Sequence, residues 1–195
     1  MKNTLLFFTA VVATLSTLYV QALFARDIEG VSIAETTIVE NTPAALTLNG
    51  AGVRTKFFFD IYIGSLYLTK KNHDPEAILT LDGPKRISMH FLYDEVSKEK
   101  LVDGWIDGFK NNHSRSEYEK LTPELERFNT LFTNMKKSDV LDFDYIPNQG
   151  TFIYHNKKRL GHIKDADFYR ALLKVWLGNE PADDDLKQAM LGITD

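Results

Sequence analysis

Residues 50–68, "GAGVRTKFFFDIYIGSLYL", run from a glycine pair through an arginine into a long apolar stretch. The pattern after Arg54 is that of a strand, rich in Phe, Ile and Tyr, with side chains alternating between two faces. Arg54, Lys56, Phe58, Asp60 and Tyr62 fall on one face, and Phe57, Phe59, Ile61 and Ile63 on the other. The second set is wholly apolar and is expected to face the core. Arg54 cannot shed its charge, and a buried guanidinium requires partners. It is therefore either a solvated strand end or the anion-holding group of a cleft.

Outward from this stretch, residues 27–41 read as one strand, followed by a turn at Asn41, Thr42 and Pro43. "AALTLNGAGVR" reads as a second strand ending at Gly50 and Gly52, and residues 56–68 as a third. Asp74 and Pro75 open a short helix over 74–80. "KRISMHFLYD", 85–94, is a strand with Ile87, Met89 and Phe91 on one face. Ser97 caps a helix whose apolar side carries Leu101, Val102, Trp105, Ile106 and Phe109. Thr122 and Pro123 are expected to open the next helix, with Leu125, Phe128, Leu131, Phe132 and Met135 inside. Residues 139–163 form strands with turns at 148–150 and 156–158. Asp165 caps a helix that Gly178 stops, and a last helix starts near Asp183. No βαβ alternation is present. The order fits an α+β fold, a mostly antiparallel sheet with helices packed on one side.

The chain has 195 residues, 44% hydrophobic and 12% aromatic, enough for one globular domain. A net charge of −4, with no basic stripe, argues against nucleic-acid binding. Absence of cysteine excludes disulfides, thiol catalysis and thiolate metal sites. "MKNTLLFFTAVVATLSTLYVQALFA" has an early lysine, an apolar run and small residues before a cut. Residues 1–22 are read as a signal peptide and 23–195 as the domain. The mature chain is expected in the periplasm or secreted, without a membrane span.

Other chemistry-bearing residues point less far. The five histidines are scattered, and His155 and His162 lack a carboxylate spaced to complete a metal site, so no metal is expected. Asp183, Asp184 and Asp185 read as helix capping and dipole compensation rather than a calcium site. Trp105 and Trp176 lie on apolar helix faces, where packing is their default role. Nucleophile-elbow, phosphate-loop and dinucleotide fingerprints are absent, and no cofactor is expected.

"LNGAGVRTKFFFDIYIGSLYL" (48–68) and "ALLKVWLGNEPADDDLKQAMLG" (171–192) together resemble the chalcone isomerase superfamily, most nearly its secreted bacterial chalcone isomerase-like group. The resemblance covers most of residues 27–192. It implies an open-faced β-sandwich, a large antiparallel sheet under a helical layer with a cleft between. In the plant enzymes of that superfamily the cleft cyclises a chalcone to a flavanone, with an arginine holding the anionic nucleophile. Arg54 matches that arginine. The strand threonine falls at Ile61 or beside Tyr62, the helix tyrosine near Val96, the helix asparagine near Asp103 and the C-terminal hydroxyl near Val175. The ketone-binding hydroxyls are mostly lost, so no catalytic residue is assigned, since oxyanion stabilisation needs preorganised donors. Non-enzymatic branches of the superfamily bind fatty acids through an arginine and a tyrosine. The resemblance thus implies a binding protein for a fatty acid or another amphipathic carboxylate, and a monomer is expected. Arg54 and Tyr62 would hold the head group, Phe58 would form an apolar wall, and Asp103 would lie in the cleft. The alternatives are an isomerase or intramolecular lyase acting on a small metabolite, and a scaffold whose cleft is filled by side chains.

Overall fold

The computed structural model describes residues 25–40, 42 and 45–193, so the signal-peptide reading of 1–22 lies outside the described residues. The chain opens with strands β1 (Ala25–Ile28) and β2 (Val31–Ala34), joined by a turn at Glu29 and Gly30 with φ of 51° and 74°. Positive φ at both positions is the type I′ pattern that suits a right-twisted hairpin. β3 (Thr36–Ile38) follows. The expected single strand over 27–41 is thus three short ones, because Gly30 folds the chain back on itself.

β3, β4 (Ala45–Lys56), β5 (Phe59–Leu68), β6 (Lys85–Phe91), β9 (Val140–Ile146), β10 (Gly150–His155) and β11 (Lys158–Ile163) form one antiparallel sheet. Its order is β11-β10-β9-β6-β5-β4-β3. Two meanders, β3 to β6 and β9 to β11, meet along the β6–β9 pair. Between those strands the chain detours through a small ribbon, β7 (Glu95–Val96) with β8 (Met135–Lys136), and two helices. α1 (Pro75–Thr80) lies between β5 and β6, with Asp74 accepting from the Glu76 and Ala77 amides as its N-cap.

α2 (Lys98–Asn112) starts at the Ser97 cap, as the sequence indicates. α3 (Arg115–Asn129) starts seven residues before the expected Thr122. A reciprocal capping box between Ser114 and Glu117 sets this start, and Pro123 sits inside the helix. α4 (Ala166–Leu177) and α5 (Asp184–Met190) begin at Asp165 and Asp183, both of which accept backbone amides.

The two faces of the sheet carry two cores. Leu66, Ile87, Phe143 and Ile153 are in register across four strands and are buried beneath the helices. There Trp105 of α2 packs its ring 5.6 to 5.8 Å from those of Phe128, Phe132, Phe143 and Trp176. On the opposite face Leu48, Tyr67, Ile63 and Phe152 form a second apolar cluster with Ile33 of the β1–β2 hairpin. Across the β6–β9 seam on that side, Arg86 grips Asp144 with two bonds, Nε to Oδ1 at 2.5 Å and Nη2 to Oδ2 at 2.6 Å. Its third arm donates to Thr37 Oγ1 at 2.9 Å.

β4 does not end at Gly50 and Gly52 but runs straight through them. The reason is α5, which lies directly on β4 and β5. A Cβ on Gly50 would stand 2.0 Å from the Ala189 carbonyl oxygen, and one on Gly52 would stand 2.4 Å from Ala189 Cβ. Asn49 Nδ2 donates to the Met190 carbonyl at 2.8 Å and holds the end of α5 on this glycine seat.

Candidate ligand-binding cleft

β4 and β5 are joined by a two-residue turn at Phe57 and Phe58, since Lys56 pairs with Phe59. The expected strand over 56–68 therefore begins at Phe59, after the turn of a β4–β5 hairpin. A bulge beside Arg54 then sets Arg54 directly across from Tyr62 on the neighbouring strand. These two residues meet as a cross-strand pair rather than as members of one strand face. Phe58 does not stand between them. It projects from the turn and is 96% exposed, so it forms no wall of the cleft. Phe57 and Phe59, expected in the core, are also exposed, Phe57 in the turn and Phe59 just after it.

The Arg54 guanidinium lies 5.7 Å from the centre of the Tyr62 ring. Its Nε donates to the Ala182 carbonyl at 3.5 Å, and among the described residues no carboxylate forms an ion pair with it. The Ala182 loop is fixed from both sides. Asp183 caps α5 through Oδ1 and accepts the Thr55 amide through Oδ2 at 3.3 Å. Asn112 at the end of α2 exchanges two hydrogen bonds with the Glu180 backbone, at 2.7 and 3.0 Å.

Between the hairpin, α2 and this loop lies a cleft of about 710 Å³, within the usual size range of small-molecule sites. Arg54, Lys56 and Lys100 line it together with Glu95, Asp103, Asp107 and Glu180, so its rim carries both charge signs. A narrower recess of about 70 Å³ continues inward to Tyr62, Met89, Phe91, Trp105 and Val175. Arg54, Ile61, Val96, Lys100, Gly104 and Ala182 line both spaces, which places Arg54 at the junction of the polar mouth and the apolar interior.

The recess presents donors. Tyr62 is buried, and burial pushes its phenol above the ordinary value, so it keeps its proton at neutral pH. Its oxygen accepts from Trp176 Nε1 at 2.9 Å, which leaves its own O–H free to donate. Trp105 Nε1 is buried without a hydrogen-bond partner among the described residues. An unmet buried donor is costly to the fold. No histidine lines either space. Arg54 and the Tyr62 hydroxyl are groups that can bind an anion or a carbonyl oxygen.

Of the residues singled out in the sequence, Arg54, Tyr62 and Asp103 are brought together around these two spaces, and Phe58 is not. Ile61, Val96 and Val175, where the resemblance puts lost hydroxyls, also line the cleft or recess. Lys100, Gly104 and the loop before α5 went unrecognised. Lys100 and Gly104 do carry a signal, since they share the α2 face of Asp103 and Asp107 at helical spacing. Among the described residues no group of three or more His, Asp or Glu side chains is placed to hold a metal.

The sequence profile of the chalcone isomerase-like family matches residues 25–192. The chain belongs to the chalcone isomerase-like family. Among solved structures it is similar to the Arabidopsis thaliana fatty-acid binding protein AtFAP1, with a TM-score of 0.62 and 13% sequence identity. That alignment covers 80% of this chain and 96% of the plant protein. At that identity the likeness establishes the fold alone: a large antiparallel sheet with a helical layer, as the resemblance implied. No curated protein matches the sequence. The Arg54 cleft thus lies between the sheet and the helical layer of a chalcone isomerase-like fold.

Proposed function

We propose that this chalcone isomerase-like protein binds a fatty acid or a similar amphipathic carboxylate in the Arg54 cleft, without catalysis. The supporting observation is the position of Arg54, without an ion-pair partner among the described residues, at the point where a charged mouth meets an apolar recess lined by Tyr62. A planar guanidinium takes a carboxylate with two parallel bonds, and Tyr62 adds a neutral one. The alkyl chain then lies against the apolar surfaces of the two spaces. The similarity to a plant fatty-acid binding protein supports the same reading. Isomerase chemistry is less well served, because Val96 and Val175 offer no hydroxyl to a ketone. The reading includes export, from the composition of residues 1–22, and the intact mass of the mature chain tests it. A start at Leu23 or Arg26 is expected, and a mass that includes Met1 counts against export.

Displacement of a fluorescent fatty acid tests the cleft. Arg54→Gln should weaken binding by roughly ten- to a hundredfold, the value of a charge-assisted contact of about 1.5–3 kcal/mol. Arg54→Lys should recover little, because an ammonium cannot present the fork. Gly104 gives an independent check. A Cβ there meets nothing within 4 Å and points into open space on a cleft-lining helix. Gly104→Phe should therefore obstruct the cleft while preserving the fold, since Gly is the poorer helix former by roughly 0.5–1 kcal/mol. Equal affinities in wild type, Arg54→Gln and Gly104→Phe would place the ligand elsewhere. Absence of binding by wild type to every carboxylate in a lipid panel would remove the reading altogether.

A further inference from the structure

The β4–β5 turn breaks a local rule. Phe57 has φ of 60°, while Phe58 does not share the positive sign. Positive φ at the first loop residue alone is the type II′ pattern, in which that position belongs to glycine. The hairpins at Glu29–Gly30 and Asn156–Lys157 use residues better suited to such a backbone, at least at one position. Here a bulky aromatic ring occupies the strained position, and two more aromatics follow it. Phe57, Phe58 and Phe59 are 84%, 96% and 55% exposed. Burial explains none of this. A folded chain that holds a strained phenylalanine out in water marks a functional surface.

The position of the tip is the second observation. Phe57 and Phe59 line the outer cleft, and Lys56 sits beside them at its mouth. Phe57 and Phe59 thus stand at the opening of the Arg54 cleft, and Phe58 projects beyond it. We propose that this aromatic tip docks the protein onto a lipid bilayer, inserting Phe57 and Phe58 just below the head groups and turning the cleft mouth toward the membrane. The docking goes beyond the binding reading, and only its purpose, loading or unloading a lipid, rests on that reading.

A bilayer is the occupant that fits. A two-residue finger offers no flat surrounding surface for a protein partner to seal, whereas a fluid interface needs no complementary shape. The long stem of Lys56 lets its ammonium remain among head groups while the rings go deeper. The charges around the mouth are mixed: Arg54, Lys56 and Lys100 against Glu95, Asp103, Asp107 and Glu180. Attraction to anionic lipid is therefore weak, and docking is driven by apolar insertion. Binding should occur on zwitterionic vesicles and be little affected by salt.

The test is co-sedimentation of residues 23–195, which contain every described element, with phosphatidylcholine vesicles and with phosphatidylcholine–phosphatidylglycerol vesicles. Wild type should partition onto both. Phe58→Ser, which alters a side chain outside the cleft, should lower the partition coefficient by about tenfold. Phe58→Trp should retain binding, and its fluorescence should be quenched by lipids brominated in their acyl chains. The affinity of Phe58→Ser for a soluble fatty acid should equal that of wild type, which separates docking from the cleft. Failure of wild type to partition would overturn the proposal. So would partitioning that survives Phe58→Ser, or a Phe58→Ser variant that instead loses a dimer seen in sedimentation velocity. If vesicles bind but no carboxylate does, docking stands and the fatty-acid reading falls.

Discussion

Gly50→Ala should cost the protein about 3 kcal/mol or more, a large share of the roughly 5–15 kcal/mol that holds a domain folded. The added methyl would stand 2.0 Å from the Ala189 carbonyl oxygen and 2.8 Å from the Gly192 amide nitrogen and Met190 carbonyl oxygen. These are backbone atoms at the end of a packed helix, and no rotamer change clears them. The helix must lift, and lifting it breaks the Asn49 bond to Met190 and the contact of 2.6 Å between His73 Nδ1 and the Leu191 carbonyl. It also loosens the cleft, because Ala182 and Asp183, which contact Arg54 and the Thr55 amide, lead into the same helix. Denaturant unfolding gives the energy, and amide exchange in α5 shows where it falls. Gly83→Ala is the control, since a Cβ there meets nothing within 4 Å. An unchanged unfolding midpoint for Gly50→Ala would mean that α5 is not seated on β4 as described.

The second large effect is expected at the opposite face. Asp144 is fully buried, and Arg86 is its ion-pair partner. Burial pushes the Asp144 carboxyl up from its ordinary value, and the two Arg86 bonds work against that rise. Arg86→Met removes the opposing influence and strands the carboxylate, a loss of about 3–5 kcal/mol at neutral pH. The pH dependence follows from the sign. With a raised folded-state value, the folded form of the variant binds a proton that the unfolded chain releases more readily. Its stability therefore rises as pH falls toward about 5, because a neutral carboxyl is tolerated in the core. The gap to wild type should narrow over that range. A gap that is constant with pH would mean that Asp144 does not titrate in the variant. Arg86→Met/Asp144→Leu should recover most of the lost stability, as exchange of buried pairs for apolar residues commonly does.

The antiparallel class was legible because β6 alternates cleanly and because the caps at Asp74, Ser97, Asp165 and Asp183 announce their helices. What misled was chemistry in unusual places. Three consecutive phenylalanines read as part of a strand, since the ordinary turn residues are absent from positions 57 and 58. The Thr122–Pro123 pair is a strong start signal, but it lies within a helix already begun by the Ser114 box. Gly50 and Gly52 looked like strand ends, although their purpose is close approach by a helix more than 130 residues later in the chain. For the site, Arg54 was visible as a charge at the edge of an apolar segment. Its neighbours were not. The Ala182 loop reaches it from 128 residues away, and nothing in a helical repeat reveals that the Trp105 indole nitrogen lacks a partner. Tyr62 was assigned beside Arg54 on the basis of one long strand, and the pair instead meets across a hairpin.

The β6–β9 seam also bears on the order of assembly. Within each meander, neighbouring strands lie close in sequence, so their pairing closes short loops. The seam alone must bring residues 85–90 against 140–145 with two helices between them. Its loop-closure entropy is the larger, and contacts of such long sequence separation slow a folding reaction. Joining the two halves is then the step that limits the rate, and the Arg86–Asp144 clasp spans that joint. In stopped-flow refolding, Arg86→Met should lose part of its stability as slower folding and not only as faster unfolding. A chain whose halves form early and meet late spends that interval with two open strand edges. The buried ion pair, costly as it is to desolvate, favours the one alignment that closes them.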